Sequence, residues 1–145
     1  MFTTYVPGSY EIPITARFLA ASKSFDVIIC LGCLIKGETM HFEYIAQSTA
    51  NGIMQVSLDS MVPCIFGVLT VLNKEQAIKR STGSHNEGLS WGMSAVEMGL
   101  ARMSALGLDA QQTKTASSIA FVNFQAHSGN KTVAKPNSQR KVFGF

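Results

Sequence analysis

Two nearly unbroken apolar runs set the rhythm of the chain. Residues 26–35 read D-V-I-I-C-L-G-C-L-I and residues 64–70 read C-I-F-G-V-L-T. Runs this short, rich in branched side chains, predict parallel strands covered on both faces. Residues 1–6 alternate weakly and predict the end of another strand. Between the runs the period changes to that of a helix. Ile12, Ala16 and Leu19 recur at helical spacing after a V-P-G-S turn, with Ser9 placed to cap and Pro13 early enough to be tolerated. A long helix over residues 40–58 keeps Phe42, Ile45, Thr49, Ile53 and Val56 on one face. A short helix over 74–80 and a loop over 81–86 follow. The last helix carries Leu89, Met93, Val96, Leu100 and Met103, spaced by fours and threes, and stops at Gly107. We take that stripe as its core face.

Strand–helix alternation with buried strands predicts an α/β fold: a three-layer α/β/α sandwich around a parallel sheet. In such sheets ligands bind at the carboxyl ends of the strands. The turns after Val6, Ile35 and Thr70 should therefore gather on one edge. From residue 109 onward Gln, Ser, Thr, Asn and Lys dominate and no apolar period is sustained. The reading is one domain over 1–108 and a mostly disordered tail over 109–145.

Charge sharpens this division. Residues 1–108 hold seven Lys/Arg against eight Asp/Glu, a balance of −1, whereas 109–145 hold five against one, a balance of +4. The basic character thus belongs to the tail. No dense basic stripe with interleaved aromatics argues for nucleic acid. No run approaches the ~20 apolar residues that span a bilayer, and no signal-peptide pattern opens the chain. Three cysteines, an odd number, suit a reducing, cytoplasmic setting. Cys30 and Cys33 match C-x-x-C, but three residues of strand separate their Cα atoms by about 10 Å, beyond the ~7 Å limit of a disulfide. Two small core residues are the better reading.

The candidate chemistry lies at residues 31–44, L-G-C-L-I-K-G-E-T-M-H-F-E-Y. A strand ends, Gly37 allows close approach to the backbone, and a helix begins near His41. A helix start offers unpaired N–H groups and a dipole that favours an anion. An imidazole there can exchange a proton near neutral pH. Taken alone, His85 reads as a loop residue and His127 as part of the tail. Phe66 reads as core, and Arg80 and Glu11 as charges that complement helix dipoles.

Together V-P-G-S-Y-E (6–11), the 31–44 stretch, P-C-I-F-G-V-L-T (63–70), E-Q-A-I-K-R (75–80), H-N-E-G (85–88) and W-G-M-S-A-V-E-M (91–98) resemble the lumazine synthase family, with a fungal cast to H-N-x-G and Trp91. The resemblance implies a flavodoxin-like fold and condensation of a ribityl-aminouracil with 3,4-dihydroxy-2-butanone 4-phosphate in riboflavin biosynthesis. It needs no metal or organic cofactor. It assigns Ser9, Tyr10 and Glu11 to the border of the uracil substrate and Cys33, Leu34 and Ile35 to its ring. Glu38 and Thr39 would hold the phosphate, and His41 would transfer protons. Phe66 and Arg80 would come from a neighbouring subunit of a homo-oligomer, a pentamer or a larger shell. Relatives carry an N-terminal strand and helix ahead of V-P-G, and that strand is interior to the sheet. Lacking it, this sheet would leave two backbone edges unpaired. Where many relatives have a lysine this chain has Glu87. A non-catalytic oligomer subunit or flavin-like ligand binder is the alternative reading, and a monomeric flavodoxin-like module a third.

Overall fold

A computed structural model describes residues 1–108 and 119–124. The strands are β1 (Phe2–Val6), β2 (Val27–Ile35), β3 (Cys64–Val71) and β4 (Ile119–Phe124). The helices are α1 (Ile12–Ala21), α2 (His41–Ser60), α3 (Lys74–Ser81) and α4 (Gly88–Ala105). All pairings are parallel and the sheet order is β1-β4-β2-β3. The chain steps from β1 to β2 to β3 through α1 and α2, then returns through α4 to β4. A right-handed crossover in each direction puts the outgoing and returning helices on opposite faces. This is the layered α/β fold that the apolar runs predict, flavodoxin-like as the resemblance implies.

Side chains of β2 alternate between two cores. Ile28 and Cys30 join Ile12, Ala16, Leu19, Ile53 and Val56 beneath α1 and α2. Val27 and Ile29 join Ala95 of α4, with Leu31, Ile65, Ile119 and Phe121 packed against them. Burial falls off along β2, from fully buried at its start to exposed at Ile35. The open end is where the site lies. Close helix packing on the first face depends on Gly52: a Cβ there would lie 2.8 Å from Pro13 Cβ and Cγ.

Three expectations are corrected. Residues 119–124, read as part of a disordered tail, form β4, the strand between β1 and β2. Its register pairs Phe2–Val6 with Ala120–Phe124 and Val27–Leu31 with Ile119–Asn123. Both backbone edges expected to stand open are therefore paired, and Ala120 and Val122 are fully buried. The other residues of 109–145 fall outside the described part. The stripe on α4 points outward: Leu89, Met93, Val96 and Leu100 are all more than half exposed, whereas Ala95 and Gly99 are buried. Small residues let α4 approach the sheet; the larger ones form a second, uncovered apolar face. Ser9 does not cap α1. It sits in a 3-10 turn, Ser9–Glu11, that precedes the helix, and no side chain caps either element. Gly107 ends α4 as expected, at φ 66°, with the N–H of Leu108 donating to Met103 O and that of Gly107 to Ser104 O.

Candidate active site

The carboxyl ends of β1 and β2 open into one cavity of about 580 Å³. Its first wall is the segment after β1: Pro7, Gly8, Ser9, Tyr10 and Glu11. Its second is the end of β2 and the turn beyond: Leu34, Ile35, Gly37 and Thr39. The first turns of α2 close it with His41, Phe42 and Ile45. Thr49 ties the walls together by donating from Oγ1 to Ser9 O over 3.1 Å. Ser9 is buried, and its Oγ has no hydrogen-bond partner among the described residues. A buried hydroxyl in that state is costly unless something else bonds it. Gly8 leaves room for the Glu11 carboxylate, since a Cβ at position 8 would lie 2.7 Å from Oε2.

The start of α2 supplies the polar end. Met40 provides no side-chain cap. The His41 N–H reaches Thr39 Oγ1 at 3.4 Å, and the first helical bond runs from Tyr44 N–H to Met40 O. The helix dipole therefore faces the cavity with backbone donors to spare. Lys36 bonds Glu43 across the turn and so fixes its entry into the helix. That bond, then a backbone hydrogen bond, then the charge of Lys36, hold the Glu43 carboxyl below its ordinary range. The lining residues include no lysine or arginine. An anion here gets dipole and N–H stabilisation from one chain, but no cationic side chain.

Seven of the eleven residues singled out in the sequence meet in this cavity: Ser9, Tyr10, Glu11, Leu34, Ile35, Thr39 and His41. Four are not among its lining residues. Cys33 is half-buried on β2, paired with Leu69, and Glu38 is exposed in the turn. Phe66 is exposed on edge strand β3. Arg80 is exposed on α3, where Nη1 donates to Gln76 O. Phe42 and Ile45, which helical spacing puts on one face with Thr49, Ile53 and Val56, line the cavity as well. Their position in the first turn after a polar G-x-T was the available signal. Burial pushes the thiols up, Cys64 to about 12 and Cys30 further, and all three cysteines are free. Among the described residues no helix is long and apolar enough to cross a membrane.

A family model described as 6,7-dimethyl-8-ribityllumazine synthase matches residues 1–102. Proteins of that name from Schizosaccharomyces pombe, Pyricularia oryzae and Clostridium kluyveri are 55%, 60% and 47% identical over 97, 101 and 96 residues. Each match covers 66% of this chain, and 61%, 50% and 62% of the respective relative. The chain thus spans less than two thirds of the length of these relatives, and β4 lies beyond the residues that the family model matches.

Proposed function

Because the chain belongs to the 6,7-dimethyl-8-ribityllumazine synthase family, we propose that it condenses 5-amino-6-(D-ribitylamino)uracil with 3,4-dihydroxy-2-butanone 4-phosphate, as a step of riboflavin biosynthesis. The observation that carries this reading is the convergence of seven expected residues on one cavity at the carboxyl edge of the sheet.

The substrate amine adds to the ketone and water leaves, giving an imine. Phosphate is then eliminated, and ring closure with loss of a second water gives the lumazine. Both substrates are reactive in themselves, so the protein contributes mainly orientation and proton transfer. The backbone of Cys33, Leu34 and Ile35 lies along the pyrimidine. Glu11, beside Ser9 and Tyr10, accepts hydrogen bonds from the ribityl hydroxyls. The phosphate sits at the start of α2 on Glu38 and Thr39, after Gly37, where dipole and N–H groups favour it. His41 moves the proton.

A phosphate dianion in a cavity that also holds the Glu11 carboxylate calls for a cation that the lining does not contain. We assign that role to Arg80 of an adjacent subunit, with the partner's Phe66 against the ring. The uncovered apolar face of α4 supports such an assembly. The assembly is a pentamer, and its free thiols suit the cytoplasm. The assay is direct: both substrates are mixed with the folded chain and lumazine absorbance and fluorescence are followed. His41→Ala should slow turnover by roughly 10²-fold or more with the fold unchanged, since His41 is exposed. Product formation no faster than the uncatalysed reaction, from a folded oligomer, would refute the reading.

A further inference from the structure

The two faces of the sheet are unequally covered. On one face α1 and α2 seal the strands, and Val6, Ala120 and Val122 are buried there with Ile28 and Cys30. On the other face α4 lies over β2 and β3. Ala95 packs with Val27 and Ile29, and a Cβ at Gly67 would lie 3.1 Å from Trp91 Cε3. Among the described residues no helix crosses the β1–β4 half of that face. The side chains record the difference. Along β4, Ala120 and Val122 are fully buried, whereas Ile119, Phe121 and Asn123, which point the other way, are half-buried. Along β1, Val6 is buried, whereas Thr3 and Tyr5 are exposed, Tyr5 by 62%. Thr3 is opposite Phe121 and Tyr5 opposite Asn123, so these residues form one continuous patch, with Ile119 at its amino end. Parallel strands are covered on both faces in folds of this kind, and an exposed apolar patch marks a contact surface.

The chain beyond β4 starts beside this patch. It leaves the strand after Phe124, at the carboxyl edge, and continues through residues 125–145. The other side of β4 is already filled by α1, so the open side is the α4 side. The large apolar side chains of 125–145 are Val133 and then a terminal cluster, Val142, Phe143 and Phe145. Ahead of that cluster, residues 125–141 span roughly 23 Å as a flexible coil. The way back along β4 from Phe124 to Ile119 is about 17 Å. Tether and span are matched, which holds the cluster at an effective concentration of about 1 mM over the patch. Residues 109–118, D-A-Q-Q-T-K-T-A-S-S, carry no large apolar side chain and offer no such cover.

We propose that the β1–β4 half of the α4 face is a docking site for the V-F-G-F segment, residues 142–145, of the same chain, with its rings against Tyr5, Ile119 and Phe121. Recognition is apolar, and aromatic rings on both sides favour offset or edge-to-face contact. The tether makes the contact intramolecular, so it forms at any protein concentration. The inference does not depend on the proposed catalytic activity.

Hydroxyl-radical labelling read by mass spectrometry tests it on three proteins: the full-length chain, a chain ended at Lys141, and a full-length Phe143→Ala/Phe145→Ala variant. Tyr44 of α2, 68% exposed, is the internal reference for Tyr5. Relative to Tyr44, Tyr5 should be labelled roughly 5-fold or more slowly in the full-length chain than in either variant. That protection should be the same across a dilution series. The double variant leaves the chain at full length, so the comparison stands even if the shortened chain fails to fold. The proposal is overturned if Tyr5 is labelled equally fast in the full-length chain and the double variant. It is overturned equally if the protection fades on dilution, which would make a second copy the cover.

Discussion

Lys36 and Glu43 are the pair that sets how the chain turns from β2 into α2, and so where His41 stands. The Glu43 carboxyl is held below its ordinary range chiefly by the hydrogen bond from Lys36. A folded-state value below the unfolded one means that the contribution is complete above the ordinary glutamate range. It is lost as pH falls through the lowered folded value. The pair is solvent-facing, so its effect is small and screened by salt. Thermal melts of wild type and Lys36→Met should differ slightly at neutral pH and converge in acid. A gap that widened on acidification would assign Glu43 a different partner. At this scale the sequence was most informative. Gly37, Thr39 and His41 could be picked out because a strand end, a polar turn and a helix start leave their mark in residue type. The burial of Ser9 Oγ could not, because it lies against Gly32 of β2, twenty-three positions away, where a Cβ would come within 3.2 Å of it.

The crossing of α1 and α2 shows how a single absent side chain governs an element. Gly52→Ala would gain about 1 kcal/mol of helix propensity. The new Cβ would meet Pro13 at 2.8 Å on two rigid ring atoms. Overpacking of this kind costs roughly 1–3 kcal/mol, so a net loss of about 1 kcal/mol is expected. Chemical denaturation measures it; a stabilised variant would mean that the helices are free to separate. Helices and strands were legible as elements because period and apolar runs are local properties. Their surroundings were less so. The α4 stripe has the period of a core face, yet Ala95 and Gly99 are what lie against the sheet. Periodicity identifies an apolar face but not its cover. Strand β4 went unread because six residues inside a polar segment carry little pattern, and its pairing is entirely with residues more than ninety positions away.

At the level of the whole molecule, the proposed function puts the cavity and the cation that would face its phosphate in different subunits. That division can be tested without a structure of the assembly. Subunits carrying His41→Ala and subunits carrying Arg80→Ala should each be nearly inactive alone. Co-refolded in equal amounts, some contacts pair an intact His41 with an intact Arg80, and activity should return to roughly a quarter of wild type. Activity no greater than the sum of the two separate variants would place Arg80 outside its neighbour's site. The central claim is that an anion rests where Gly37 leads into α2, beside His41. It is tested most directly by titrating inorganic phosphate into the isotope-labelled, assembled protein and following backbone amide and imidazole resonances. The account predicts saturable shifts at Gly37, Glu38, Thr39 and the His41 ring. Shifts confined to other residues, or none at saturating phosphate, would contradict it.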